Sequence, residues 1–367
     1  MILTFVVRQT RPSGGCARAR RGRSYSGAAR RASVRMSTDL ISTPLVQPLR
    51  RVEAPPLPGR PTLTVIVPAT DRPASLLRCL QAIRSGHDSP EELIVVTDPP
   101  FAGPAEARNA GAARATGDIL VFVDSDVVVH ADAFARIRAA FGRNPRLTAL
   151  FGSYDDDPPG VGRVSAFRNL LHHYVHHASP GPATTFWAGL GAVRRDAFET
   201  SGGFDARRFP RPSVEDVELG TRLSRSGALI VLDPAVQGAH LKSWSLREMI
   251  VTDFACRGVP WVALMLRTRS PSGALNLGWR HRLSAAACLL TLAALALRHP
   301  AVAAAAFAAF IVLNLAFYRL IARRLGPAAV VQGVALHAVH YLTAVASIPA
   351  GIGAHLRSSL RAPRRDR

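Results

Sequence analysis

The stretch "GDILVFVDSDVVVH", residues 117–130, carries two aspartates, Asp124 and Asp126, at the end of an apolar run. Residues 119–123 read as a buried strand, where an unpaired charge would be costly. Two carboxylates separated by one serine are either an ordinary turn or a grip on a cation. The segments on either side bear on that choice.

Upstream, "LTVIVPAT" (63–70) reads as a second buried strand running into a turn. It is followed by a helical stripe of Leu76, Leu77, Leu80 and Ile83 closed by Gly86. "ELIVVTD" (92–98) is a third apolar strand, and "AEARNAGAARATG" (105–117) a helix ended by Gly117. Strands that are apolar throughout and alternate with helices predict an α/β domain with a mostly parallel sheet covered on both faces. Ligands of such sheets bind beyond the carboxyl ends of the strands. Asp98 and the Asp124–Asp126 pair all stand at such ends, which makes a shared site the expectation.

A carboxylate pair in that position suits Mg²⁺ or Mn²⁺, hard cations that take oxygen ligands and leave positions for substrate phosphates. Further on, "SVEDVELGTRLSRSG" (213–227) places Glu215 and Asp216 at a helix start, with Val214, Val217, Leu219 and Leu223 able to form a buried face. Acidic residues there either answer the helix dipole or supply a general base. "GSYDDDPPG" (152–160) reads as a solvated Pro-rich loop or a flap near the acceptor. "LLHHYVHHAS" (170–179) pairs His172 with His176 and His173 with His177 at helical spacing. The glutamate of a zinc HExxH motif is missing, so a polar helix lining the cleft or lying at a membrane surface is the better reading.

These segments, in this order, resemble glycosyltransferase family 2, inverting transferases with the Rossmann-like GT-A fold, over about residues 62–262. "LTVIVPATDRPASLLRCLQAI" resembles the opening strand–turn–helix, with Thr70-Asp71 where Tyr-Asn is usual. "GPAEARNAGAARATGDILVFVDSD" resembles the segment leading to the family's Asp-x-Asp, and "FWAGLGAVRRDAFETSGGFD" (186–205) the acceptor-side segment. The resemblance implies that Pro68, Thr70, Asp98, Arg108 and Asp124 meet a nucleotide-diphosphate sugar. It gives the metal to Asp126, to Asp124 (divided between metal and ribose) and to His240 of "GAHLKSWSL". Trp187, Gly189 and Glu215 fall on the acceptor side, and Asp216 would be the catalytic base. The Gln-x-x-Arg-Trp motif of processive members is absent; "DFACRGVPW" (253–261) stands in its region, which implies transfer of one sugar. Two alternatives share the fold: a polyprenyl-phosphate sugar synthase, and a non-catalytic sugar-binding membrane subunit.

The 367 residues carry a formal charge of +21, unevenly spread. Residues 1–60 contain twelve arginines against Asp39 and Glu53, and residues 357–367 five against Asp366. Charge at the two ends suits an anionic membrane surface or a disordered tail. With no interleaved basic–aromatic platform, nucleic acid is not an expected partner. Cys16, Cys79, Cys256 and Cys288 show no metal-ligand spacing and are expected to stay reduced. Residues 1–60 lack apolar periodicity and read as a disordered leader, with Met36 a plausible second start.

Residues 61–265 form the expected catalytic domain and 266–282 a linker or interfacial segment. Residues 283–356 hold three apolar stretches (283–297, 301–317 and 327–356), and 357–367 form a basic tail. The first two stretches are short for a bilayer core, which needs about 20 residues. A buried helical hairpin competes with insertion, but charges confined to the connectors favour about three transmembrane helices. The expectation is a multi-pass protein of the inner membrane with its catalytic domain facing the cytoplasm and an acceptor that is lipid-linked or membrane-proximal. The number of crossings stays open, because three would place the basic tail outside, against the positive-inside tendency.

Overall fold

The computed structural model describes residues 59–159, 162–269 and 278–361. The expected leader, the Met36 start, part of the linker and the last six residues of the tail lie outside the described residues. The three apolar runs around the opening stretch form strands β1 (Leu63–Pro68), β2 (Glu92–Val96) and β3 (Ile119–Val123). They are parallel, with β1 central: Val65 pairs with Leu93 on one side and Val121 on the other. Helices α1 (Leu76–Arg84) and α2 (Pro104–Ala112) make the crossovers. Gly111 lets α2 lie close on the sheet, since a Cβ there would stand 2.5 Å from Ile66 Cγ2. This close approach seats Arg108, one turn earlier, under the ends of the strands.

The chain continues through β4 (Val127–Val129), α3 (Ala133–Arg143), β5 (Leu147–Tyr154), α4 (Arg163–His177), β6 (Gly181–Ala183) and β7 (Leu190–Arg194). Then come α5 (Arg195–Thr200), α6 (Glu215–Arg225) and β8 (Leu229–His240). The eight strands form one sheet in the order β2-β1-β3-β7-β5-β8-β4, with β6 also paired to β8. β1, β2, β3, β5 and β8 share one direction, while β4, β6 and β7 oppose it. The sheet is thus mixed and mostly parallel, as the sequence leads one to expect. The short opposed strands β4 and β7 flank the aspartates of residues 124–126 and fix that turn on both sides. The Asp124 amide donates to the Gly189 carbonyl (3.0 Å) and the Leu241 amide to the Asp126 carbonyl (2.8 Å).

Past β8, the chain forms α7 (Leu246–Val251), a π-helical turn (Thr252–Gly258) and α8 (Val259–Thr268). Helices α9 (Trp279–Ala296), α10 (Pro300–Leu313), α11 (Leu315–Leu325) and α12 (Ala329–Arg361) follow. The distribution of apolar helix differs from the three stretches read in the sequence. By length and composition, Leu246–Thr268 and Ala329–Leu360 are apolar and long enough to cross a membrane. The first of these begins inside the segment assigned to the catalytic domain.

The stretch 301–317 is not one helix: α10 and α11 meet at Asn314 with a bend of 66°, a third candidate only if the pair counts as one span. Asn314 is fully buried, and its side-chain amide donates to Ser284 Oγ (3.0 Å) and to the Phe310 carbonyl (2.9 Å). These bonds satisfy the amide where the helix breaks. The stretch 283–297 is the body of α9, whose first turns carry Arg280 and Arg282. α12 continues through Arg361, so the start of the expected basic tail is helical.

The C-terminal helices share a core with the sheet domain. Phe167, Leu170 and Val175 of α4 join Phe310, Phe317 and Tyr341 in one buried apolar cluster. Cys79, Cys256 and Cys288 are buried free thiols.

Candidate active site

Two acidic residues from distant parts of the chain converge on Arg108. Its guanidinium donates to Asp124 Oδ1 (2.6 Å) and to Glu215 Oε1 (3.0 Å), with both Arg108 and Glu215 buried. Glu215 also accepts from the Ser213 amide (2.8 Å), which holds the first turn of α6. One cation between two carboxylates makes the cluster bearable in a dry interior, where either acid alone would carry a heavy desolvation cost. Glu215 therefore serves as an anchor that places its neighbour Asp216.

Asp216 is 3 % exposed. Its Oδ2 accepts from the Ala188 amide (3.3 Å) and its Oδ1 from the Val217 amide (2.8 Å). Burial, and then the charge of Glu215, push its carboxyl up to about 7 against the opposing pull of Arg108. A carboxyl tuned to that range is suited to take a proton near neutral pH.

Asp126 and His240 form the other half of the site. Asp126 Oδ2 lies 3.5 Å from His240 Nε2, on the last residue of β8, and both side chains are buried. The Asn169 amide nitrogen donates to the His240 carbonyl (3.3 Å), so its oxygen faces His240 Nδ1 at 2.9 Å. Nδ1 then donates to that oxygen, and Nε2 is directed toward the carboxylate. Neither Asp126 Oδ1 nor His240 Nε2 has a hydrogen-bond partner. Two buried polar atoms left without partners on neighbouring side chains are a costly arrangement, and a divalent cation held by the two residues fits their chemistry. Burial works to raise the Asp126 carboxyl, but His240 and Lys242 outweigh it and hold it below the ordinary carboxylate range. Among the described residues, no three His, Cys, Asp or Glu side chains converge as a ready-made metal cage.

Asp124, expected to be divided between metal and ribose, accepts through Oδ1 from Arg108. Of the remaining expected residues, Pro68 ends β1 and Thr70 is buried behind it, its hydroxyl donating to the Ala102 carbonyl (2.7 Å). Asp98 stands at the same end of the sheet with its side chain 72 % exposed, 3.9 Å from Arg72. It is free to meet a ligand from solvent. Trp187 is buried with an unpartnered indole N–H. A Cβ on Gly189 would stand 2.4 Å from that indole, so only glycine admits the ring there.

Tyr154 and Lys242 escaped the sequence reading. Tyr154 stacks flat on His240, with ring centroids 4.3 Å apart and planes 7° apart, and meets Trp187 edge-on. His172 lies on the other side of Tyr154 and against Trp187. Two of the four expected polar-helix histidines, His172 and His176, are thus core rings that wall the site, and burial pushes both well below the usual histidine range. Lys242 rests over Trp244 at 4.3 Å and is lowered to about 8, mainly by burial, with Asp126 opposing. The acidic 155–157 loop is tied down: Asp155 pairs with His130 (2.9 Å) and Asp156 with Arg324 of α11 (2.5 Å).

Residues 100–202, which include α2, the aspartate turn and β7, match the family described as Glycosyl transferase family 2. The chain is 28 % identical over 220 residues to a pre-mycofactocin glycosyltransferase of Mycobacterium tuberculosis, covering 53 % of this chain and 45 % of that protein. It is also 28 % identical over 236 residues to the O-antigen biosynthesis protein RfbC of Myxococcus xanthus, covering 52 % of this chain and 18 % of that protein. The chain thus spans about half the length, or less, of these curated relatives. A mannosyltransferase structure from Pyrobaculum calidifontis, in complex with GDP-Man and Mn²⁺, aligns at a TM-score of 0.46 and 19 % identity over 87 % of this chain and 92 % of that one. The motifs at Arg108, Asp124 and Asp126 fall within the residues, 100–202, that match glycosyltransferase family 2, and the mixed sheet gathers them.

Proposed function

We propose that this domain moves one sugar from a nucleotide-diphosphate sugar to a hydroxyl of a membrane-proximal acceptor, with inversion at the anomeric carbon. The observation that carries the reading is the juxtaposition, at the carboxyl ends of the strands, of a buried base (Asp216) and an unsatisfied acidic–imidazole pair (Asp126 and His240). Arg108 links the two through Asp124 and Glu215.

Asp216 takes the proton of the acceptor hydroxyl as its oxygen bonds to the anomeric carbon, and the bond to the diphosphate breaks on the opposite face. Trp187 and Tyr154 wall the pocket and exclude water from the reacting centre. Asp126 and His240 would hold a divalent cation, Mn²⁺ or Mg²⁺, which when bound neutralises charge on the departing diphosphate. Asp98, exposed at the end of β2, supports a donor nucleotide lying across the open edge. The missing Gln-x-x-Arg-Trp motif supports single transfer over polymer extension. The two apolar helical candidates and the core shared with α4 support a cleft held at a bilayer.

The test is sugar transfer by membranes carrying the full chain, with candidate donors supplied one at a time. Asp126→Ala and Asp216→Ala should each abolish transfer; undiminished transfer by both variants would refute the site.

A further inference from the structure

The helical run Leu246–Thr268 is apolar and long enough to cross a membrane, yet it meets the sheet domain from one end to the other. Just before its first turn the Trp244 amide donates to Ser165 Oγ of α4 (2.8 Å), and Met249 shares a buried cluster with Phe167 and Leu170 of α4. Asp253 pairs with Arg168 of α4 (2.6 Å), and the Cys256 carbonyl accepts from Ser213 Oγ (3.1 Å). Trp261 and Leu264 then pack with Phe209, Val214 and Val217, the last of these next to Asp216. Met249 to Leu264 covers roughly 20 Å at a helical rise, and both ends of that length rest on one domain. A span would carry one end across a hydrocarbon core of about 30 Å and away from that domain.

α12 lies beside this run and points the same way. His340 Nδ1 is 2.8 Å from Asp253 Oδ2, a Cβ on Gly258 would strike Ser347 Oγ, and one on Gly351 would stand 2.5 Å from Val262 Cβ. Glycine on each helix thus lets the two backbones approach closely. α12 also meets the sheet domain directly, with the His337 and Phe167 ring centroids 5.9 Å apart.

The outer faces of the pair are apolar. Leu246 and Ile250 are exposed at one end of the run and Leu266 at the other, while Ile348, Ile352 and Leu356 are exposed along α12 at a spacing of four, one face of a helix. Between the far end of the run and the 208–213 loop is a groove of about 510 Å³. Arg208, Arg211 and Arg267 line it, and among the described residues no acidic side chain does. Apolar faces bordered by arginines match one leaflet of a bilayer, with hydrocarbon against the helices and anionic head groups at their edge.

We infer that Leu246–Thr268 and α12 lie in the plane of the bilayer, in the leaflet nearest the sheet domain, and that neither crosses it. They form a platform on which the start of α6 rests through Ser213, whose amide holds Glu215 beside Asp216. The inference rests on the bilayer part of the proposed reading and on none of its chemistry.

Two measurements on the full chain, made without donor or acceptor, test it. In the first, Arg225→Cys marks the side of the sheet domain, and Arg247→Cys, Arg269→Cys, Gln332→Cys and Ser359→Cys report the two ends of each helix; all five positions are exposed. A membrane-impermeant maleimide, applied to right-side-out and to inverted vesicles with wild-type labelling subtracted, should reach all five from the same side. Labelling of the two ends of either helix from opposite sides would overturn the inference.

The second reads depth, and it decides any position that labels from neither side. In proteoliposomes of phosphatidylethanolamine and phosphatidylglycerol, Leu246→Trp, Ala255→Trp and Leu266→Trp should be quenched equally by brominated lipids, and more by shallow bromines than by deep ones. Deep quenching greatest at Ala255→Trp, the middle of the run, would overturn the inference, as would quenching at none of the three. Circular dichroism of each variant reports the fold. Neither readout uses sugar transfer, so these results and those of Asp126→Ala and Asp216→Ala stand or fall separately.

Discussion

Asp216→Asn separates the chemistry of the site from its stability. In the fold the Asp216 carboxyl is pushed up to about 7, by burial first and the Glu215 charge second, against an ordinary value of 3.8. Between those two values the folded chain holds a proton that the unfolded chain has released. The proton therefore favours the folded state at low pH, and this contribution is lost as pH rises through about 7. Linkage over pH 5 to 8 puts the loss at about 3 kcal/mol.

Asparagine is neutral throughout and carries no such dependence. It does disturb the bonds from the Ala188 and Val217 amides, but that cost is the same at every pH. Thermal unfolding of both proteins in one detergent buffer series should show wild type losing ground to Asp216→Asn by about 3 kcal/mol from pH 5 to pH 8, several degrees in Tm. Titrating groups that do not interact with Asp216 are common to both proteins and cancel. The reasoning fails if the difference between the two proteins is the same at both ends of the series. In the same series, wild-type kcat/KM should rise tenfold per pH unit below about 7 and level off above it, because only the ionised carboxyl accepts a proton.

Other consequences are more direct. Mn²⁺ at a hundredfold over its Kd should add roughly 2.7 kcal/mol to wild-type stability, a shift that Asp126→Ala should lose in a thermal-shift assay. Arg108→Ala strands the buried carboxylates of Asp124 and Glu215 and should cost about 3–5 kcal/mol in denaturant unfolding. At the junction with the C-terminal helices, Asp253 pairs with Arg168 (2.6 Å), Arg257 (3.1 Å) and His340 (2.8 Å), all largely buried. Asp253→Ala should cost a similar amount, about 3–5 kcal/mol, because it leaves two guanidinium groups in the interior without their shared carboxylate. Detergent-solubilised yield and Tm would report it.

Much of the sheet was legible because its causes are local. Runs such as "ILVFV" and "LTVIV" are apolar at every position, which only a strand buried on both faces requires, and the helices between them repeat at their own period. The aspartate turn was visible for the same reason: charge next to such a run has few places to be. The division of labour within the turn was not. Asp124 and Asp126 are chemically identical neighbours, and what separates them is Arg108 on one side and His240 on the other. The apolar stretches of the C-terminal half were legible as composition but not as helices. A hydropathy pattern carries no sign of the bend at Asn314, which depends on a bond to Ser284 thirty residues away.

The sequence by itself determined the class of fold, the order of its first three strands and the helices between them, and the side-chain chemistry present at the strand ends. Those follow from periodicity and composition, which act over a few residues. Tertiary structure decided which carboxylate is tied to an arginine, which faces a histidine and which is buried enough to hold a proton near pH 7. It also turned Tyr154 and His172 into walls of the site, and set the 208–213 loop against α8 to form the groove. Such properties depend on distance and desolvation between groups far apart in the chain, and neither is a function of sequence separation.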